Sequence, residues 1–207
     1  MIDMLLPVSH KKMEILKYVY ENPPAYLRKI ATELSIHPYI VKRYIDALTS
    51  KKIFDQQRAG KTILLTINPL LDSIGQLLYI IECYKQKTED KTLKMIIKTL
   101  QQQFGKNNRI ISCIIFGSYA RGAATKESDA DVLFIIESKD IGLVIMKKMS
   151  QLGALMNLKF SPIIMTVSEF KTTIETKEPA TVTLLKPSQR IIVFGIEYFV
   201  RTTMAGE

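Results

Sequence analysis

The sequence predicts an α+β protein of two domains joined by a helical segment. In the first 68 residues, apolar positions recur at helical spacing and are followed by two short strand-like runs. Beyond residue 105, apolar β-branched runs of strand length alternate with helical segments. This second pattern indicates a mixed sheet flanked by helices. The length of 207 residues is sufficient for both domains.

The composition excludes several classes of protein. Hydrophobic residues make up 47% and charged residues 24%, and no apolar run reaches 18 residues, so no membrane-spanning helix is predicted. Cys83 and Cys113 are isolated, and His10 and His37 lie far apart, which predicts neither a disulfide nor a zinc site. The first twelve residues lack the features of a secretory leader, so we expect a cytoplasmic protein.

The net charge of +9 is concentrated in one part of the chain. Residues 26–61 carry eight Lys or Arg and three acidic residues, whereas residues 1–25 carry three of each. A local basic excess is typical of surfaces that bind nucleic acid, although a merely solvated basic face would look the same.

The N-terminal region predicts three helices and a hairpin. The first helix ends at Pro23-Pro24, the second begins near Tyr26, and the third begins at His37-Pro38, with proline in its first turn. In the third helix, apolar spacing turns one side inward and leaves a polar and aromatic side outward. The inward residues are Val41, Tyr44, Ile45 and Leu48, and the outward ones are Tyr39, Lys42, Arg43 and Asp46.

Two strand-like runs follow the third helix, at residues 53–57 and 62–67. They flank the tetrapeptide Arg58-Ala59-Gly60-Lys61, a basic tip that contains the glycine a tight turn favours. The sequence therefore predicts a β-hairpin with two cationic side chains at its end.

This order of three helices and a basic hairpin resembles the winged helix-turn-helix domains of bacterial and archaeal regulators, and we assign it to residues 1–68. The resemblance implies binding of duplex DNA. Tyr39, Lys42 and Arg43 would enter the major groove, and Arg58 and Lys61 would reach a phosphate or the minor groove. A winged helix used only for protein contacts is the alternative.

Residues 69–104 are predicted to be a helical linker or a dimerisation region. One apolar stripe comprises Leu70, Leu71, Ile74, Leu77, Leu78 and Ile81, and a second comprises Leu93, Ile96, Ile97, Leu100 and Phe104. The stripes would pack within the chain or form a homodimer interface suited to a palindromic operator, and the sequence leaves both open.

The C-terminal region, residues 105–207, contains a motif between two strands. Residues 110–116 and 132–136 are apolar runs typical of strands buried on both faces. Gly117-Ser118 follows the first strand, where a glycine lets a ligand approach the backbone and a helix start favours phosphate. Asp129 and Asp131 precede the second strand and would share one face, as hard divalent cations require.

A lone pair of acids would also fit a solvated turn, but the combination is more specific. Gly117-Ser118, ten intervening residues and Asp129-Ala130-Asp131 resemble the signature of the DNA polymerase beta superfamily, in its minimal nucleotidyltransferase form. The resemblance implies that Gly117 and Ser118 hold a nucleoside triphosphate. It also implies that Asp129 and Asp131 bind Mg²⁺ or Mn²⁺ as catalytic metal ligands. Contacts of Arg121 and Gly122 with the triphosphate are implied less directly.

One residue of the family pattern is missing. The family has a third carboxylate on a later strand, and the candidate strand at residues 159–167 contains no acidic residue; Ser161 aligns with the missing one. Glu137 and Glu169 are expected to lie too far away to replace it. Since a serine cannot serve as a carboxylate base, the resemblance implies that turnover is affected more than binding.

The remaining C-terminal segments are predicted less specifically. Residues 141–158 predict a helix with the apolar residues Leu143, Val144, Met146, Leu152 and Leu155, in which the methionines are expected to pack. Ser168 is predicted to cap another helix. Beyond Glu178-Pro179 we expect looser structure, then a strand or docking segment at residues 191–194.

Three functional hypotheses follow from these observations. The first is a DNA-binding nucleotidyltransferase that transfers a nucleoside monophosphate to a hydroxyl. The second is a transcriptional regulator whose nucleotidyltransferase-like domain binds nucleotide and metal but is catalytically weak or silent. The third is an antitoxin-like interaction partner of a second protein; modification of that partner's tyrosine would merge it with the first.

Overall fold

The computed structural model describes residues 9–204. Residues 1–8, part of the segment on which the expectation about a leader rests, lie outside the described residues. The chain divides into two compact units, Met1–Tyr84 and Lys85–Glu207. The division lies inside the predicted linker of residues 69–104, and the predicted domain boundaries stay predictions.

The first unit is a winged helix. Its elements are α1 (His10–Glu21), α2 (Leu27–Glu33), α3 (Pro38–Ser50), β1 (Phe54–Ala59), β2 (Thr62–Ile67) and α4 (Ile74–Lys85). The two strands form an antiparallel hairpin, and Ala25 adds a bridge to Leu65 in its second strand. Helix α3 begins as predicted, with Pro38 in its first turn and His37 Nδ1 accepting a hydrogen bond from the Tyr39 N–H at 3.3 Å.

Helix α4 is shorter at its start than predicted. It begins at Ile74, and Leu70, which the apolar stripe was expected to bury, is 87% exposed. The reason is local, because the Asn68 side chain accepts a hydrogen bond from the Leu70 N–H at 2.9 Å and so favours a turn over a helix. Leu77 and Ile81 are buried in the core of the first unit.

The second unit contains a four-stranded mixed sheet with helices around it. Its elements are α5 (Lys91–Phe104), β3 (Ile110–Phe116), α6 (Gly117–Ala120), β4 (Ala130–Ile136), a 3₁₀ turn (Lys139–Ile141), α7 (Gly142–Met156), β5 (Phe160–Thr166), α8 (Val167–Glu175), α9 (Pro179–Leu185), a second 3₁₀ turn (Pro187–Gln189), β6 (Arg190–Phe194) and α10 (Ile196–Met204). The strand order is β5-β4-β3-β6. Strand β3 is antiparallel to both neighbours, and β4 is parallel to β5.

The two central strands are almost fully buried, which confirms the prediction made from their apolar runs. On one face they pack against α5, whose complete predicted stripe is buried in the core of this unit. Phe104 of α5 meets Phe134 of β4 edge-to-face, with ring centroids 5.0 Å apart. This stripe is therefore used within its own unit, and a homodimer interface would need other residues.

Helix α7 buries only one of the five apolar residues singled out from the sequence, Leu152. Ile145, Met149 and Leu152 are buried, whereas Leu143 and Leu155 are more than 80% exposed. Val144 and Met146 are also exposed. Apolar residues occur on several sides of this helix, so its periodicity does not determine which side meets the sheet.

Two further predictions for this unit were wrong in detail. The cap of α8 is Thr166 and not Ser168, since Thr166 and Glu169 form a reciprocal capping box. The segment after Glu178 is not loose but forms α9, with Pro179 in its first turn. Residues 191–194 do form a strand, β6, which pairs with β3.

Gly195 joins β6 to α10 in a conformation that only glycine adopts easily. Its φ is +74°, and a Cβ atom there would lie 2.6 Å from Ser112 Cα and closer still to the Ile111 carbonyl oxygen. We expect Gly195→Ala to lower the free energy of unfolding of the second unit by about 3 kcal/mol, from the strained φ and the steric overlap.

Urea denaturation of the full chain would measure this loss. The matched control is Gly142→Ala, because Gly142 has no positive φ and its nearest neighbours are 3.9 Å away. Equal unfolding midpoints for the two variants would contradict the prediction.

Within residues 9–204, no helix has the length and apolar character needed to cross a membrane.

Candidate functional site

The end of β3 lies directly against the acid pair. Gly117 follows the strand with φ +72°, and this turn starts the single-turn helix α6. The glycine has no room for a side chain, because an added Cβ would overlap the Asp131 carboxylate. Pairing of Phe116 with Asp131 between β3 and β4 fixes this approach. The structure thus brings together Gly117 and Asp131, which are fourteen positions apart in the sequence.

Asp129 and Asp131 flank the first residue of β4, Ala130. Ala130 is completely buried, while both aspartates are partly exposed. Side chains alternate between the faces of a strand, so Ala130 packs into the core and the two carboxylates share the opposite face. This arrangement agrees with the one expected from the sequence.

The two carboxylates have opposite electrostatic surroundings. Burial raises the pKa of Asp131 above its ordinary value; the Asp129 charge adds to this shift and Arg121 opposes it. The pKa of Asp129 is lowered, mainly by its hydrogen bond with Lys159 and in addition by that with Ser161. Two carboxylates on one face repel each other, and a divalent cation between them would relieve this repulsion.

Ser161, which is predicted from the sequence to align with the missing carboxylate, lies beside the acid pair. It is directly opposite Asp131 in the parallel pairing of β4 with β5, and its Oγ donates a hydrogen bond to Asp129 Oδ2 at 3.2 Å. A hydroxyl is therefore present beside the acid pair, but a third acid is not. Among the described residues, no group of three or more His, Cys, Asp or Glu side chains could hold a metal ion.

The two glutamates considered as replacements for the third carboxylate, Glu137 and Glu169, make other contacts. Glu137 follows the far end of β4, where its carboxylate lies 3.6 Å from Arg109. Glu169 belongs to the capping box at the far end of β5 and forms an ion pair with Lys139. Neither shares the end of the sheet that carries Asp131, in agreement with the expectation that they cannot replace the third carboxylate.

Ser118, Arg121 and Gly122 lie on or just after α6. Ser118 is half-buried, and Arg121 is exposed and donates a hydrogen bond to Gln189 Oε1 at 3.2 Å. Gly122 has φ +67° and open space where a side chain would be. Arg121 is close enough to Asp131 to lower that group's pKa, whereas no contact of Gly122 with the acid pair is found among the described residues.

Lys159 was not identified from the sequence. Its Nζ lies 2.7 Å from Asp129 Oδ2, and its side chain is 77% exposed. The match of Ser161 to the third carboxylate could have revealed it: parallel strands pair in step, so if residue 161 lies opposite 131, residue 159 lies opposite 129.

The predicted DNA-binding side chains lie on the surface of the first unit. Tyr39, Lys42 and Arg43 are exposed on α3, where Tyr39 is 64% exposed. Arg58 and Lys61 are exposed at the hairpin, in which Gly60 has φ +60°. Lys42 forms an ion pair with Asp46 at 2.7 Å. The structure therefore presents aromatic and cationic groups on α3 and further cationic groups at the hairpin tip.

One family match and one relative concern the second unit of the chain. Residues 93–178 match the family model "Nucleotidyltransferase domain". A protein of Methanocaldococcus jannaschii, named as an inferred protein adenylyltransferase, is 43% identical over 47 residues. That stretch covers 23% of this chain and 45% of the relative, so less than half of the relative is matched.

Solved structures similar to this chain include DNA-binding regulators. A predicted DNA-binding transcriptional regulator from E. coli has 14% identity and a TM-score of 0.30, and the match covers 50% of this chain and 85% of that one. FabT from Streptococcus pneumoniae, in complex with DNA, has 14% identity and a TM-score of 0.31, covering 48% and 75%. These scores are too low to transfer any property to this chain. Residues 93–178, which match the nucleotidyltransferase family model, lie in the second unit and contain strands β3, β4 and β5 of its sheet.

Proposed function

We propose that this protein is a DNA-binding nucleotidyltransferase that moves a nucleoside monophosphate from a nucleoside triphosphate to a hydroxyl acceptor. The contact between the Gly117 backbone and the Asp131 carboxylate carries the proposal. It joins an open backbone turn, suited to phosphate, to a pair of acids suited to a cation. The glycine turn follows β3 and the acids lie at the start of β4. If the acids belonged only to a solvated surface turn, Asp131 would not need to lie this close to Gly117.

The side chains at the site fit one divalent cation, Mg²⁺ or Mn²⁺. Asp129 and Asp131 would hold it, and when bound it would neutralise charge on the phosphates during transfer. Gly117 and Ser118 would position the triphosphate through the backbone of the turn, while Arg121 and Gly122 would border it. Ligands for a second cation fit less well, because position 161 provides a hydroxyl in place of a carboxylate.

The proposed reaction is an in-line displacement at the α-phosphorus. The acceptor oxygen forms a bond to that phosphorus, the bond to the bridging oxygen of the β-phosphate breaks, and pyrophosphate leaves. The acceptor proton passes to water, since Ser161 does not provide a carboxylate base. We therefore expect slow turnover, without the roughly 10² to 10⁴-fold contribution of general-base catalysis. A protein hydroxyl is a reasonable acceptor, given the name of the Methanocaldococcus relative.

A second function is favoured by the same local feature. With Ser161 beside the acid pair and Lys159 bound to Asp129, the domain would bind nucleotide and metal without turnover. The protein would then be a transcriptional regulator that senses a nucleotide. An antitoxin-like role in a complex with another protein is a third candidate, which co-purification of a small helical partner would favour.

Incubation with nucleoside triphosphates labelled at the α-phosphate distinguishes these functions. The full chain is incubated with each of the four nucleotides and Mg²⁺ or Mn²⁺, alone and with cell extract, beside the double variant Asp129→Asn/Asp131→Asn. Label held covalently on protein or nucleic acid, and absent with the variant, establishes a transferase. Metal-dependent nucleotide binding without transfer establishes the sensor instead. The absence of both would refute the proposed nucleotide site.

A further inference from the structure

The Lys159 side chain brings a positive charge to the acid pair. Its Nζ is 2.7 Å from Asp129 Oδ2, and the same oxygen accepts the hydrogen bond from Ser161 Oγ at 3.2 Å. A distance of 2.7 Å is typical of a charge-assisted hydrogen bond. This Asp129 oxygen is therefore occupied by two groups of the protein itself.

The sheet holds Lys159 in this position. The Ala130 N–H donates a hydrogen bond to the Lys159 carbonyl oxygen at 2.7 Å, and Ala130 then pairs with Phe160 in the parallel ladder of β4 with β5. The backbone of Lys159 is thus fixed beside Asp129, and only the four-carbon side chain is free to rotate. This backbone hydrogen bond keeps Lys159 next to Asp129, which supports a role at the acid pair more strongly than surface exposure alone would.

Charge and ligand type both disfavour a second divalent cation at Asp129. The carboxylates contribute two negative charges and the ammonium contributes one positive charge, so one divalent cation is enough to make the cluster positive towards a triphosphate. A second cation would have to displace the ammonium. The ligand available at position 161 would then be the neutral Ser161 hydroxyl, whereas hard divalent cations prefer a carboxylate.

We propose that the Lys159 ammonium replaces the second divalent cation, so that a nucleoside triphosphate binds together with one metal ion. This inference rests on the proposed nucleotide-binding function and specifies how that site is charged. Asp131 and Asp129 would hold the single cation, and the Lys159 ammonium would stabilise the bound triphosphate as a positive charge supplied by the protein. Ser161 then positions Asp129 and is not a metal ligand.

Equilibrium dialysis of the full chain tests the number of cations. The α,β-methylene analogues of ATP, GTP, CTP and UTP, which cannot transfer a nucleoside monophosphate, are each dialysed with Mn²⁺. Bound manganese and bound nucleotide are then measured per chain. We expect one Mn²⁺ per bound nucleotide for the natural sequence. Two Mn²⁺ per nucleotide would overturn the inference while leaving the proposed nucleotide site intact, whereas no nucleotide binding would overturn both.

Two variants attribute the effect to Lys159. Lys159→Met keeps an unbranched side chain, one heavy atom shorter, but removes its charge. We expect nucleotide affinity to fall roughly tenfold, as for loss of a charged hydrogen bond. Lys159→Met/Ser161→Asp also restores the carboxylate, and we expect two Mn²⁺ per nucleotide and recovery of most of the lost affinity. Recovery in the double variant shows that loss of affinity in the single variant is not caused by misfolding.

Lys147→Met is the matched control, because Lys147 is an exposed lysine of α7 in the same unit. Its nucleotide affinity and cation number should equal those of the natural sequence. The inference fails if Lys159→Met binds nucleotide as tightly as this control. It also fails if the double variant still binds one Mn²⁺ per nucleotide.

Discussion

Replacing Asp131 with asparagine should lower the rate of label transfer by roughly 10³-fold, the size of effect expected when a metal-binding charge is lost from the transition state. Asp131 is the acid that touches Gly117, so it lies where the cation and the phosphates would meet. Asparagine has nearly the same shape and one neutral oxygen, so the approach of β3 to β4 should be preserved. The measurement is the initial rate of covalent labelling at saturating nucleotide and Mg²⁺.

Glu127→Gln provides the control for Asp131→Asn, since Glu127 is an exposed acid in the loop that precedes β4. It removes the same charge from the same segment and should leave the rate within about twofold, as is usual for a surface substitution. If Asp131→Asn and Glu127→Gln label equally fast, Asp131 is not part of the transfer site. An unchanged thermal unfolding midpoint in Asp131→Asn would show that its effect is local.

The sequence predicted those parts of the site whose position follows from one strand and one turn. Gly117 ends the apolar run of β3, and Asp129 and Asp131 begin that of β4, so the alternation of side chains along a strand is sufficient to predict that both acids share one face. The alignment of Ser161 with the missing carboxylate stays a prediction; the structure shows Ser161 opposite Asp131 in the pairing of β4 with β5.

What the sequence did not reveal depends on contacts between elements. Lys159 acquires its position from the parallel pairing of β5 with β4, so only the register inferred through Ser161 distinguishes it from other surface lysines. The packing face of α7 is a similar case, because Leu143 and Leu155 are as apolar as the buried Leu152. In both cases the position of the side chain depends on how its element packs against a neighbouring strand, which local periodicity does not determine.

The opposite electrostatic surroundings of the two aspartates also have a consequence for pH. The pKa of Asp131 is raised, chiefly by burial, so before any ligand binds this group takes up a proton at a higher pH than an ordinary aspartate does. Protonation competes with a cation for the same oxygens. As pH falls towards the pKa of Asp131, we expect the affinity for Mn²⁺ to weaken, and Asp131→Asn should lose this dependence. Calorimetric titration with Mn²⁺ across a pH series would measure it.

A double variant of the first unit, Lys42→Ala/Arg43→Ala, should weaken binding to duplex DNA by roughly a hundredfold, about tenfold for each charged contact. Both side chains are exposed on α3, next to Tyr39. If both neutralise phosphates, the slope of the logarithm of the binding constant against the logarithm of salt concentration should become shallower by about two. Fluorescence anisotropy with a labelled duplex at several salt concentrations gives both quantities.

The matched control removes the same two charges from α1, in Lys11→Ala/Lys17→Ala. Net charge alone would weaken binding equally in both double variants, whereas a specific role of α3 predicts that only Lys42→Ala/Arg43→Ala changes the salt slope. The Lys42–Asp46 ion pair adds a further distinction. Because Asp46 competes with phosphate for the Lys42 ammonium, Asp46→Asn should bind DNA more tightly than the natural sequence does. Weaker binding by Asp46→Asn, or unchanged binding by the α3 double variant, would mean that the outward face of α3 does not contact DNA.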